Sequence, residues 1–312
     1  MKFVSDQANQ FVQLIEKRQD EICSSIASID EASFSIDLWD RPGGGGGNTR
    51  ILTSETFEKA GVNSSQVFGQ LKQEELPMFR QLIQKVEPDF EVSIRSEFFA
   101  TGISLVIHPK NPFVPTVHAN YRYFEVTNDH QSVWWMGGGA DLTPYYLFDD
   151  DVTHFHSVHY NHCETFLKGS YDSFKSKCDE YFYLPHRQET RGVGGIFFDY
   201  LTDDYDRQFQ LISSLSAGFV EAYIPIVTKR KGHSYDDSHR TWQAIRRGRY
   251  AEFNLLYDRG TLFGLKTNGR IESILMSMPP GAAWAYNHVP TPGSEEEKLL
   301  SVLRSPKHWI KK

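Results

Sequence analysis

The sequence predicts an α+β protein built on one mainly antiparallel sheet covered by helices. Segments rich in β-branched and aromatic residues follow one another without the strand-by-helix alternation of a parallel sheet. Other long stretches repeat apolar side chains at helical spacing. A hydrophobic content of 39% with 14% aromatics supports a substantial core, and a length of 312 residues suits one large domain or two ordinary ones.

Val4, Ala8, Phe11, Val12, Ile15, Ile22 and Ile26 predict a helix over about 3–28. Five glycines, Gly43 to Gly47, then read as a linker or as a mobile loop over a site. Residues 78–86 are helical in pattern. Residues 98–108 and 116–126 are strands joined by a proline-marked loop. With a turn at Asn128-Asp129-His130 into Val133 to Met136, they form an antiparallel meander. Helices follow at 148–168, 171–182 and 204–229, with a strand at 194–199 between them. Asp149, Asp150 and Asp151 sit at the favourable positive end of the first of these. Residues 251–257, 261–266 and 272–278 read as a second strand cluster, and Ser294 with Glu297 as the capping box of a last helix. There is no internal repeat.

A formal net charge of -7 argues against general nucleic-acid binding. Basic spots beside glycine turns (Arg187, Arg191, Arg259, Arg270) instead suit a small anionic ligand in a pocket. Arg246, Arg247 and Arg249 read either as part of that pocket or as a solvated helix end. Cys23, Cys163 and Cys178 lack C-x-x-C spacing and read as reduced thiols. No apolar run approaches the roughly 20 residues of a membrane span, and Met1 to Gln10 shows no signal pattern. These features lead to the expectation of a cytoplasmic protein.

The run from Tyr183 to Asp199 is the most informative. His186 to Arg191 packs an imidazole, two guanidiniums and a carboxylate into six positions. Gly192, Gly194 and Gly195 follow, allowing a sharp turn or close approach to a ligand. On the strand at 116–126, His118, Asn120, Arg122 and Phe124 share one face, and Val117, Ala119, Tyr121 and Tyr123 the other. The polar face is a solvated edge or a binding floor. Pairing with 98–108 brings Ser104 and His108 beside it and favours the floor. His154, His156, His159 and His162 lie on one helix, where i, i+3 spacing can hold a metal, although core or surface histidines are the better reading. Asp141 after three glycines could accept N–H donors or merely cap a turn. Arg270, in Asn268-Gly269-Arg270, could grip a carboxylate bidentately or stand in water.

These runs occur together and in order with Arg41 to Gly47, Ser104 to Pro109, Val114 to Asn120, Trp134 to Pro144, Arg247 to Tyr250 and Glu272 to Pro280. Nearly the whole chain resembles the aerobic, oxygen-dependent coproporphyrinogen III oxidases. The resemblance implies a single domain, residues 1–312, with a large, flat antiparallel sheet flanked by helices on both faces. It implies an enzyme that uses O₂ to convert two propionates of coproporphyrinogen III to vinyl groups, giving protoporphyrinogen IX in haem biosynthesis. Ser104, Asn120, Tyr121, Arg122, Asn268, Gly269 and Arg270 match substrate-contacting positions. His118 matches the proton donor, and Asp141 a carboxylate that holds pyrrole N–H groups. A candidate divalent-cation site matches His108, His118, His156 and His186. No organic cofactor is implied, consistent with the lack of a haem, iron–sulfur or G-x-G-x-x-G motif. About Tyr250 to Ala285 matches a homodimer-forming region. Two departures stand out. Asn48 stands where many relatives carry arginine, and Asn268 where close relatives carry glycine. A non-catalytic tetrapyrrole carrier and a histidine-based metallohydrolase are the competing readings.

Overall fold

The computed structural model describes residues 5–266 and 269–310. Its frame is a seven-stranded sheet in the order β1-β2-β3-β4-β5-β6-β9, antiparallel throughout. The strands are β1 (Ser35–Asp40), β2 (Gly45–Leu52), β3 (Phe57–Gln70), β4 (Glu97–Pro109), β5 (Thr116–Thr127), β6 (Ser132–Thr143) and β9 (Gly194–Leu201). A two-stranded ribbon pairs β7 (Tyr183–Leu184) with β8 (Glu189–Thr190).

The expected meander is β4–β5–β6, with β6 running on through Gly137 to Thr143. Three further strands of this sheet, β1 to β3, were not anticipated, nor was the β7–β8 ribbon. The glycine run does not form a linker: Gly44 and Gly45, at φ 112° and 83°, make the turn, and Gly45 to Gly47 then pair with Val67 to Ser65. β1 is largely exposed, and β3 is rich in Ser, Asn and Gln, so neither carries an apolar alternation strong enough to read as a strand.

One face of the sheet is covered by α1 (Asp6–Ala27), α3 (Asp149–Phe166) and α5 (Tyr205–Arg230). Phe11 meets Tyr123 at 5.6 Å, and the Tyr121 hydroxyl donates to Leu215 O at 3.1 Å. Among the described residues α5 alone is long and apolar enough to cross a membrane by length and composition; here it packs on the sheet. The other face carries α2 (Leu76–Ile83) at one end, through Phe79 on Phe98 and Phe124. At its other end lie α6 (Asp237–Leu256), α7 (Arg259–Lys266) and α8 (Ile271–Leu275). α4 (Ser170–Tyr181) lies along β9, and α9 (Glu295–Arg304) reaches β8. Ser294 caps α9 by accepting from Glu297 N, but the Glu297 carboxylate accepts from Gly293 N, so the expected capping box is formed only in its Ser294 half.

The segments 251–257, 261–266 and 272–278 expected as strands are the end of α6, α7 and α8 with the chain after it. Their apolar runs are too short to separate buried helix from strand by periodicity. The Arg-rich segment before them is no solvated helix end. Arg246 and Arg247 are buried on α6 and paired with Glu189 and Glu58, each at 2.7 Å. The three cysteines are free and buried.

Candidate functional site

Strand alternation and register build a floor on the α2/α6 face of the sheet. Asn63 pairs with Ser104, Ser104 with Asn120, and Asn120 with Gly139. His118 pairs with Asp141, and Arg122 with Gly137. The glycines keep this floor low. At Gly137 a first side-chain carbon would lie 2.6 Å from Asp199 Oδ1 and 2.8 Å from an Arg122 nitrogen. Aromatics under α2 close one end. At the other end Tyr250 packs edge-on to His108, and Met276 fills the space over Gly61.

At that second end His118, Asp141 and Arg191 form a hydrogen-bonded chain. Asp141 is 2% exposed and lies 2.8 Å from His118 Nδ1. Arg191 donates from Nη2 to both Asp141 oxygens, at 3.0 and 2.8 Å, and from Nη1 to Asn254 Oδ1 at 2.7 Å. The rings of Phe182, Tyr250 and Phe253 lie 4.2, 4.3 and 4.9 Å from its guanidinium carbon. Burial drives the Asp141 pKa up. The charge of Arg191 and the bond from His118 outweigh this, so Asp141 stays ionised below the usual carboxylate range. His118 is partly exposed, and with Nδ1 committed, Nε2 is the nitrogen left for a substrate.

The guanidiniums lie further along the floor. Arg122 donates to Asn120 Oδ1 at 2.8 Å and lies 2.9 Å from Asp199 Oδ2. Arg259 lies 4.0 Å from that same oxygen and stacks over Tyr181 and Phe197. Arg270 pairs with Asp37 and stands 5.8 Å from the Trp39 ring centre. Ser273, on α8, bonds Thr49, and its carbonyl accepts from Asn63.

Of the residues expected from sequence, Ser104, His118, Asn120, Arg122 and Asp141 share this floor. Gly269 and Arg270 approach its β1–β3 end, with Gly269 N donating to Gly264 O. Asn268 lies outside the described residues. Tyr121 does not join them: alternation turns it to the opposite face, fully buried against α5. Asn48 is also turned away, beside Gln19 and Arg50 in a cavity under α1. That cavity mixes Glu16 and Asp20 with Arg50, on the far side of the sheet from His118.

The four histidines of the candidate cation site do not meet. His108 bonds Thr116 and Ser277 O; His156 bonds Tyr171 and Val193 O. Burial pushes the pKa of each down to about 3, so both are neutral. His186 bonds Tyr257 and Glu252, at 2.9 and 2.7 Å. Among the described residues no group of three or more His, Cys, Asp or Glu side chains is placed to hold a metal ion. These residues do not fit a shared cation.

Sequence reasoning counted Arg259 among the basic spots suited to an anionic ligand but did not assign Asn254, Asp199 or Glu252 to a site. Glu252 binds His186, Arg187, Arg249 and Trp284 together. The signal for Arg191 and Asp199 lay in the Tyr183–Asp199 run that holds both. For Asn254 and Glu252 it lay in the segment 251–257, whose strand reading hid their place on α6.

Comparison with known proteins adds an independent finding. A family model described as coproporphyrinogen III oxidase matches residues 10–309. Coproporphyrinogen-III oxidase 1, chloroplastic, of Arabidopsis thaliana is 49% identical over 310 residues, covering 96% of this chain and 78% of that protein. The oxygen-dependent coproporphyrinogen-III oxidase, chloroplastic, of Glycine max is 49% identical, with 96% and 79% covered. The Nicotiana tabacum enzyme of the same description is 48% identical, with 96% and 77% covered. The expectation of a cytoplasmic protein is corrected by these relatives, each of which is described as chloroplastic.

Proposed function

The chain belongs to the coproporphyrinogen III oxidase family, and from that premise we propose how its sheet floor carries out the reaction. It is an oxidoreductase of haem biosynthesis. With O₂ as co-substrate it converts two propionates of coproporphyrinogen III to vinyl groups, giving protoporphyrinogen IX and CO₂. Each conversion removes a carboxylate as CO₂ and transfers two electrons from the substrate to O₂. An electron-rich pyrrole can supply those electrons, leaving the protein to position, move protons and exclude water.

The observation that carries the assignment of roles is the His118–Asp141–Arg191 relay at the end of a glycine floor flanked by guanidiniums. Arg122 and Arg270 hold propionates. His118 moves protons through Nε2. Asp141 orients His118 through Nδ1. Sequence suggested that Asp141 meets pyrrole N–H directly. Its burial, and the engagement of both its oxygens by Arg191, favour action through His118 instead. Ser104 and Asn120 line the floor beside these groups.

No step is routed through a metal, because His108, His118, His156 and His186 have separate partners. Product formation in air should therefore survive exhaustive dialysis against a chelator. Loss of activity that a divalent cation restores would overturn this part of the account.

The homodimer belongs to the same reading. Leu255, Leu256, Leu265, Ile271 and Trp284 are all more than 40% exposed within Tyr250–Ala285. A two-fold contact would cover this apolar surface.

A further inference from the structure

The floor holds a second carboxylate, and its placement differs from that of Asp141 in a way that separates their tasks. β9 carries a bulge where it pairs with β6: Gly138 faces Phe198 and Met136 faces Leu201, so Asp199 and Tyr200 together oppose Gly137. Tyr200 adopts the left-handed conformation, φ 59°, which is uncommon for a large side chain and costs energy. Bulges of this kind re-aim side chains next to active sites. Here the bulge delivers Asp199 to the floor, and Tyr200 N donates to its Oδ1 at 3.0 Å. Asp199 keeps 14% exposure where Asp141 has 2%. Gly137, opposite, has no side chain to cover it. Arg122 and Arg259 flank its Oδ2, leaving lone pairs on both oxygens unused.

We propose that Asp199 is the carboxylate that receives the pyrrole N–H groups of the substrate. The inference rests on the proposed function, since it takes the floor as the substrate site. A porphyrinogen presents its N–H donors near the macrocycle centre and its propionates at the rim. A carboxylate set into a glycine floor with guanidiniums to either side matches that arrangement of donors and anions. Asp199 meets the centre, Arg122 and Arg259 meet rim carboxylates, and Asp141 acts from beneath through His118.

The test is anaerobic calorimetric titration of coproporphyrinogen III and of its tetramethyl ester. The ester keeps the N–H donors and loses the carboxylate charges. A charge-assisted hydrogen bond of ordinary strength predicts that Asp199→Asn weakens both ligands by roughly tenfold or more. Arg122→Lys should weaken the acid and spare the ester. Asp141→Asn should spare ester binding and alter the pH profile of turnover. Thermal melts of each variant establish that the fold is retained, and Asp199→Ser serves in place of the asparagine variant if that one does not fold. If Asp199→Asn weakens the acid but not the ester, Asp199 only steadies the guanidiniums and the proposal fails. Unchanged affinity for both ligands in Asp199→Asn also overturns it. If Arg122→Lys likewise leaves both unchanged, the failure lies in the choice of floor and not in Asp199.

Discussion

Replacing Arg191 with leucine tests the electrostatic heart of the site. The wild-type guanidinium makes three hydrogen bonds, two to Asp141 and one to Asn254, in a cage of three aromatic rings. Both members of the ion pair are 2% exposed, so neither can turn to water when the other is lost. Removing one partner of a buried pair costs about 3–5 kcal/mol, because the remaining charge is left uncompensated. With an unfolding entropy of about 2.1 cal/mol/K per residue over 312 residues, each kcal/mol lowers the melting midpoint by about 1.5 °C, so it should fall by about 5–8 °C. The diagnostic variant is the double replacement, Arg191→Leu with Asp141→Leu. Replacing a buried pair by apolar residues is often neutral, so the double variant should melt above Arg191→Leu alone. The assay is thermal unfolding by circular dichroism on the two single variants and the double. A double variant whose loss equals or exceeds the sum of the singles would show that the two residues are not coupled, and the relay would collapse with that result.

Three other outcomes follow from the same geometry. Arg270→Lys should weaken substrate binding roughly 10- to 150-fold by losing a bidentate grip, and should change affinity for the esterified substrate much less; equal effects on both would return Arg270 to a structural partner of Asp37. For His156, burial lowers the folded-state pKa from 6.5 to about 3, so only the unfolded chain takes up the proton between those values. Stability should therefore decline as pH falls from about 6.5 toward 3, and His156→Gln should flatten that decline in denaturant titrations at stepped pH; an unchanged slope would mean that His156 is not held neutral. Sedimentation at micromolar concentration should give a dimer that Leu256→Arg dissociates; a wild-type monomer would contradict the proposed contact.

What the sequence made legible follows from how strongly each segment's pattern exceeded its context. The alternation of His118, Asn120 and Arg122 against Val117, Ala119 and Tyr121 was plain, because one face of β5 is polar and the other packs on helices. The same alternation placed Tyr121 away from the floor, against the role that family resemblance implied for it. β1 to β3 were not legible: a half-exposed, glycine- and serine-rich strand has no apolar signature, and its pairing partners fix it instead. The end of α6 and α8 were misread because Leu255-Leu256 and Ile274-Leu275-Met276 look alike as buried strand and as helix. The relay was half visible. Asp141 stands opposite His118 by β5–β6 register, but Arg191 arrives from 50 residues further on, and only the fold of the glycine turn after it brings them together. The histidines show the reverse: the family resemblance implied a common cation for them, and the structure distributes them to separate partners.

The most direct measurement counts CO₂ released per coproporphyrinogen III in air and under nitrogen, for wild-type protein and His118→Ala side by side, with substrate binding measured on both. The account predicts two CO₂ per substrate from the wild type in air and none under nitrogen. It predicts that His118→Ala binds the tetrapyrrole but turns over about 10²–10⁴-fold more slowly. Release of CO₂ under nitrogen, or wild-type turnover in His118→Ala, would contradict it.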